Sequence, residues 1–224
     1  MAIATDHPLI SVFFIVGFAL PSFVVSIGEW GWRGLRVWLL LGVYALLIET
    51  VAVKTGFPYG GFVYGADIGF KLFDAVPWTV PFAWIPLVLA TLTLSRRWLV
   101  PRWLQIVSSA LLLMFIDMLL DPAAVALHFW TWNDSSGFYA VPWTNFLGWL
   151  LTGAIGSAIA VTLLPTQRPW PRSLLYSLRL ILVFWTLAAL GLKLWLPALI
   201  GLILLIAERY SKPDRSSAAR QRFR

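Results

Sequence analysis

Residues 103–121 read Trp103-Leu-Gln-Ile-Val-Ser-Ser-Ala-Leu-Leu-Leu-Met-Phe-Ile-Asp-Met-Leu-Leu-Asp121. The run is mostly apolar, holds no lysine or arginine, and matches the ~20 residues that cross a bilayer core. Six further runs of the same kind lie at roughly 9–27, 35–53, 77–95, 144–164, 174–191 and 194–208. Pro21, Pro81, Pro86 and Pro197 fall inside them. Bundled membrane helices tolerate prolines because neighbours satisfy the freed carbonyls.

The rest of the chain agrees. Of 224 residues, 60% are hydrophobic and 12% charged, against about 25% charged in a soluble domain. A globule this small cannot sequester so much apolar surface. Soluble classes and disorder are excluded. The expected fold is an all-α integral membrane protein of seven spans. It forms one domain over 1–210, followed by a basic tail, 211–224, expected to be disordered and cytoplasmic. Met1 to Pro8 carries Asp6 and no basic residue, so a secretory signal is not indicated and the first span is expected to be retained.

The net charge of +7 points to topology rather than nucleic acid, because the basic residues sit between apolar runs. With the N-terminus outside, the inner segments hold Arg33, Arg36, Arg96, Arg97, Arg102, Arg168 and Arg172, and the tail region adds Arg209, Lys212, Arg215, Arg220, Arg222 and Arg224. Only Lys54, Lys71 and Lys193 fall outside; Arg179 lies within a span and is left unassigned. Thirteen against three is the asymmetry expected of a chain entering with its N-terminus outside. Ten of the fourteen tryptophans fall at span ends or in loops, where indoles favour the headgroup level.

Two connections are long, roughly 54–76 and 122–143, and both are outside. Long connections in a compact domain are functional or disordered, and these are too aromatic for disorder. They are expected to fold back onto the bundle mouth. One ends Phe73-Asp-Ala-Val-Pro-Trp-Thr79 and the other Phe138-Tyr-Ala-Val-Pro-Trp-Thr144, with six of seven residues identical. The match suggests a parallel internal repeat, with units at about 35–95 and 103–164.

Acids inside apolar runs are costly and mark functional sites by default. Glu49, Asp117 and Asp121 lie at similar depth in the outer half. The spacing of four places both aspartates on one helix face, and three carboxyls would share one pocket if the repeats pack together. Carboxyls crowded in low dielectric do not all ionise, so at least one retains a proton. Such a group can protonate a substrate while a neighbour handles water. A plainer reading stands beside this one. Glu49 and Asp121 are within a turn of the interface, where water would solvate them, and Asp121 before Pro122 suits a helix-end turn. His128 suits an interfacial position. There is no cysteine, and His7 and His128 cannot build a multi-histidine metal site. No P-loop, GxGxxG, HExxH or GxSxG motif occurs. Lys193 sits at the edge of the last span, which argues against a retinal Schiff base.

Several motifs resemble the membrane carotenoid hydratase family. They are Glu49; Gly56-Phe-Pro-Tyr-Gly-Gly-Phe-Val-Tyr64; Val76-Pro77 with Pro81-Phe-Ala-Trp84; Asp117 to Pro122; Trp130-Thr-Trp132; Gly137-Phe-Tyr139; and Val141-Pro-Trp-Thr-Asn-Phe146 with Gly148-Trp149. The similarity is strong over roughly 40–150. It implies addition of water across the C1–C2 double bond of an acyclic carotenoid end, as in gamma-carotene or lycopene. Protonation at C2 would leave a tertiary cation at C1 for water to capture. Asp117 is the expected proton donor, with Glu49 and Asp121 as base or water-positioning groups. Tyr59, Tyr64, Trp78, Trp132, Tyr139, Trp143 and Asn145 are the candidate substrate-binding residues, the aromatic ones because ring faces stabilise cations. No cofactor or metal is required. The implied partners are a lipophilic carotenoid and the lipid bilayer, in the multi-pass cell membrane of a bacterium or archaeon. A membrane lycopene cyclase begins with the same protonation, and a carotenoid carrier or binding protein would also use membrane acids. Residue chemistry alone leaves these two alternatives open.

Overall fold

The computed structural model describes residues 8–165 and 170–210. Asp6, His7, Arg168 and the tail 211–224 lie outside the described residues. Seven α-helices form among the described residues: α1 Pro8–Trp30, α2 Trp32–Thr55, α3 Val80–Trp98, α4 Arg102–Ala126, α5 Trp143–Leu163, α6 Leu175–Gly191 and α7 Trp195–Arg209. Five of them, α1, α2, α4, α5 and α6 together with the single 3-10 turn before it (Arg172–Gly191), are long and apolar enough to cross a membrane. The other two are not, for different reasons. α3 ends in Arg96 and Arg97, which dilutes its apolar length. α7 has 15 residues, or about 22 Å at 1.5 Å per residue, against a hydrocarbon core of ~30 Å.

α3 is the centre of the bundle. Every residue from Trp84 to Thr93 is buried, so this stretch has no solvent- or lipid-facing side. Hydroxyls join it to its neighbours: Thr91 Oγ1 lies 2.8 Å from Ser109 Oγ of α4, which accepts from Ser157 Oγ of α5 at 2.9 Å. Between membrane helices such bonds and small side chains supply the cohesion that hydrophobicity cannot. α5 follows the same rule. It buries Gly148, Thr152, Gly153, Gly156, Ser157 and Ala160, a face of small residues that lets other elements approach closely. α1 and α2 are joined through Gly31, whose φ of +54° is a conformation that glycine adopts without strain. Arg179, unassigned from sequence, pairs with buried Glu208: Nη2–Oε1 is 2.7 Å and Nε–Oε2 is 3.1 Å, tying α6 to α7.

The expected all-α fold needs one addition. The long connections carry short strands: β1 Phe62–Tyr64, β2 Lys71–Leu72, β3 Val76–Pro77 and β4 Trp130–Trp132. β2 and β3 form a small antiparallel hairpin. β1 and β4 pair antiparallel across the two connections, with Phe62 opposite Trp132, Val63 opposite Thr131 and Tyr64 opposite Trp130. Strand alternation sends Phe62, Tyr64, Trp130 and Trp132 to one side, where their rings touch at 4.8–5.9 Å; Val63 and Thr131 are exposed. The connections thus clasp each other over the bundle. The two matched segments each run into a helix. Val76 and Val141 are fully buried, and both threonines donate back to a loop carbonyl: Thr79 Oγ1 to Ile68 O at 2.5 Å, Thr144 Oγ1 to Tyr59 O at 3.0 Å. The tight turns before them differ by one residue, closing Leu72 to Ala75 in one and Phe138 to Val141 in the other.

Candidate active site

α4 does not stop at Pro122 but continues to Ala126. Asp121 is therefore a mid-helix residue rather than a helix-end turn residue, and it stays in line with Asp117 one turn earlier. Neither aspartate is solvated: Asp117 is 1% and Asp121 3% exposed, and Glu49 on α2 is 6% exposed. Buried acids need partners, since an unpaired buried acceptor is costly. Asn145, in the first turn of α5, donates its Nδ2 to both aspartates, at 2.6 Å to Asp117 Oδ2 and 2.8 Å to Asp121 Oδ2. Glu49 Oε2 accepts from Tyr64 Oη at 2.8 Å. Trp130 stands with Asp121 on the wall of the same cavity. Tyr64 and Trp130 are opposite one another in the β1–β4 pair. The strand pair therefore delivers the Tyr64 hydroxyl to Glu49 and brings Trp130 to the wall shared with Asp121. Burial first, and then the Glu49 carboxylate beside it, push the Tyr64 phenol well above its ordinary value, so it remains a proton-bearing donor.

Tyr59 is fixed from α5. Its hydroxyl donates to Thr152 Oγ1 at 3.1 Å, Thr152 Oγ1 donates to Gly148 O at 2.9 Å, and Tyr44 Oη donates to Thr152 O at 3.1 Å. A Cβ on Gly148 would strike the Tyr59 ring, so glycine there makes the fit.

These groups border one cavity of about 300 Å3, at the lower end of the ~300–1,000 Å3 typical of ligand pockets. Glu49, Asp121 and Asn145 line it with Tyr59, Tyr64 and Trp132. Asp117 does not line it. It stands behind Asp121, joined through Asn145, and its Oδ1 has no hydrogen-bond partner. Three expected lining residues are elsewhere. Trp78 stacks on Phe70 at 5.9 Å. Tyr139, in a left-handed turn with φ +51°, is 39% exposed. Trp143 is 59% exposed; it stands two residues from Asn145, hence on the opposite side of α5. His128 is exposed at the end of α4 and does not border the cavity.

Other lining residues were given no site role from sequence: Phe62, Trp84, Trp130 and Trp149, which stand in the motifs that carry the resemblance, with one face of α1 and part of α6. A signal for some of them existed. The four tryptophans away from span ends are Trp38, Trp84, Trp149 and Trp185. An indole at that depth cannot be an interfacial anchor, and three of the four line the cavity. Among the described residues, no three His, Cys, Asp or Glu side chains group so as to hold a metal ion. The site can therefore be described as two acids with fixed donors, a third acid behind, and walls of aromatic faces. That arrangement can transfer a proton to a bound hydrocarbon and shelter positive charge.

The sequence pattern of the family described as "Carotenoid biosynthesis protein" matches residues 7–208. Among curated proteins, the bisanhydrobacterioruberin hydratase of Haloarcula japonica is 41% identical over 119 residues, covering 51% of this chain and 40% of that protein. The match thus spans less than half of the relative's length. No solved structure matches the chain.

Proposed function

We propose that this chain, which belongs to the carotenoid biosynthesis protein family, is a hydro-lyase that adds water across the C1–C2 double bond of an acyclic carotenoid end. The observation that carries the reading is the placement of Glu49 and Asp121 on one cavity whose other walls are mostly aromatic and aliphatic, with Ser11, Thr79 and Asn145 as further polar lining. The name of the Haloarcula relative, a hydratase, supports it.

In this mechanism Asp121 gives its proton to C2. The electron pair of the double bond forms the new C–H bond and leaves a tertiary cation at C1. Trp84, Trp130 and Trp132 offer ring faces to that charge, an attraction that strengthens when water is excluded. A water oxygen bonds to C1, and its surplus proton passes to Glu49, whose carboxylate Tyr64 holds in place. Glu49 then releases that proton to water at the outer side and Asp121 takes one up, so both acids return to their starting states with no net proton consumed. Asp117 differs from its expected role: lying behind Asp121, it acts as a positioning residue, and Asn145 holds the two carboxyls in register.

The topology belongs to the same proposal. All seven helices cross, α3 and α7 included, with the N-terminus outside and the acids in the outer half of a bacterial or archaeal cell membrane. The bundle to about residue 210 is one domain. The matched segments before α3 and α5 are the trace of a parallel duplication of 35–95 and 103–164.

Expression in a lycopene-accumulating host tests the reaction. The expected product has gained one water per reacted end by mass. A pigment of unchanged mass with a cyclised end would replace this reading with a cyclase. Unaltered pigment would leave a carrier or binding protein.

A further inference from the structure

The cavity reaches well beyond the acids. One face of α1, from Ile10 through Phe14 to Phe18, and Phe184 and Trp185 of α6 belong to its wall. The α1 residues stand four apart, so they follow one another along one helix face for about 12 Å. Their rings engage α6: Phe184 is 5.8 Å from Phe14 and 5.7 Å from Phe18. Trp185 in turn lies 6.1 Å from Phe129, the residue before Trp130. Aromatic contact thus runs from α1 to the strand that faces Asp121. At the other end the wall reaches the outer surface, since Ile10 is 48% and Phe14 41% exposed. α1 is long and apolar enough to cross a membrane, so that rim meets lipid rather than water.

We infer that this α1–α6 wall is the seat and entry path of the polyene chain. The conjugated hydrocarbon slips in from the bilayer between α1 and α6, lies along the Ile10–Phe18 face, and delivers its acyclic end to Asp121 and Glu49. The identity of the occupant rests on the hydration reading above. The size of the cavity supports it: its volume of about 300 Å3 covers both the acids and the α1 face, room for the end group and the first part of the chain, so the rest of a long carotenoid extends past the exposed rim into the bilayer. A flat, polarisable chain matches walls of ring faces, and Ser11 is the one hydroxyl on the α1 part of the wall.

The test uses the full chain in lipid nanodiscs with lycopene as probe. Achiral lycopene free in a bilayer shows no circular dichroism in its visible band, and lycopene held in a protein site acquires one. Ser11→Phe fills the wall, Phe184→Ala removes the ring shared by Phe14 and Phe18, and Leu199→Phe on the exposed side of α7 is the control. The induced band is expected in the parent and the control, and it falls roughly tenfold or more at a fixed lycopene level in either wall variant. In Ser11→Phe, turnover of a short acyclic monoterpene with the same end group, relative to lycopene, rises by a similar factor. A missing band in the parent, or wall variants that bind like the control, would overturn the seat. If Ser11→Phe does not fold, Phe184→Ala decides. A parent that binds lycopene as described but hydrates neither probe keeps the seat and removes the hydratase reading.

Discussion

Asn145 serves two acids with one amide, and that fixes what its loss should do. In Asn145→Leu the Oδ2 atoms of Asp117 and Asp121 both lose their donor while remaining buried. Each unsatisfied group costs about 1–3 kcal/mol, so thermal stability and hydration should fall together. The acids themselves should separate. Asp121→Asn removes the proton that reaches the cavity and should lower hydration by about 10²–10⁴, the usual contribution of a general acid. Asp117→Asn should cost less, because Asp117 acts through its neighbour. Product yield by mass at matched protein levels reads both, and a larger loss at Asp117 would reverse the assignment. That three acids stand out from the apolar runs was legible in the sequence, since an ionisable group there demands a reason. Which of them touches the cavity was not. A spacing of four gives a shared face, but depth along that face depends on how α4 packs against α5, which no local pattern states.

At the level of elements, the site depends on small residues in α5. A Cβ on Gly156 would strike the Trp84 indole, one of the cavity's walls. Gly156→Ala should therefore push that ring toward the cavity. Such overpacking costs about 1–3 kcal/mol, even though alanine favours the helix itself by up to about 1 kcal/mol. The check is detergent-solubilised melting together with lycopene hydration: both should drop, while Ile155→Ala, at a 41% exposed position, should change little. A Gly156→Ala protein as stable and active as the parent would show that the indole has room to move. The helices were legible almost to their ends, because length and hydropathy are local properties. The clasp of β1 on β4 was not. Two three-residue strands carry little pattern by themselves, and their pairing joins residues about seventy positions apart. The mid-span tryptophans were the readable part, since their depth removes the usual reason for an indole in a membrane protein.

For the whole molecule the question is whether the short α7 crosses. Length alone argues against it, at about 22 Å for 15 residues. The ion pair argues for it. Arg179 lies one turn into α6, near the end that the charge asymmetry puts inside, and its partner Glu208 is the penultimate residue of α7. A helix that starts at Trp195, beside the far end of α6, and bonds back near the start of α6 has returned along its length. Local thinning of the bilayer, or Arg209 reaching to the headgroups, can absorb the remaining mismatch. The chain has no cysteine, so every introduced one is a unique reporter. In intact cells a membrane-impermeant maleimide should label Asp134→Cys and Lys193→Cys, and should label Arg36→Cys and Tyr210→Cys only after lysis. If Tyr210→Cys labels with Lys193→Cys in intact cells, α7 lies on the outer surface and the bundle has six crossings. If Asp134→Cys is protected and Arg36→Cys is open, the orientation is inverted. The acids would then face the cytoplasm, and the water that captures the cation would have to arrive from that side.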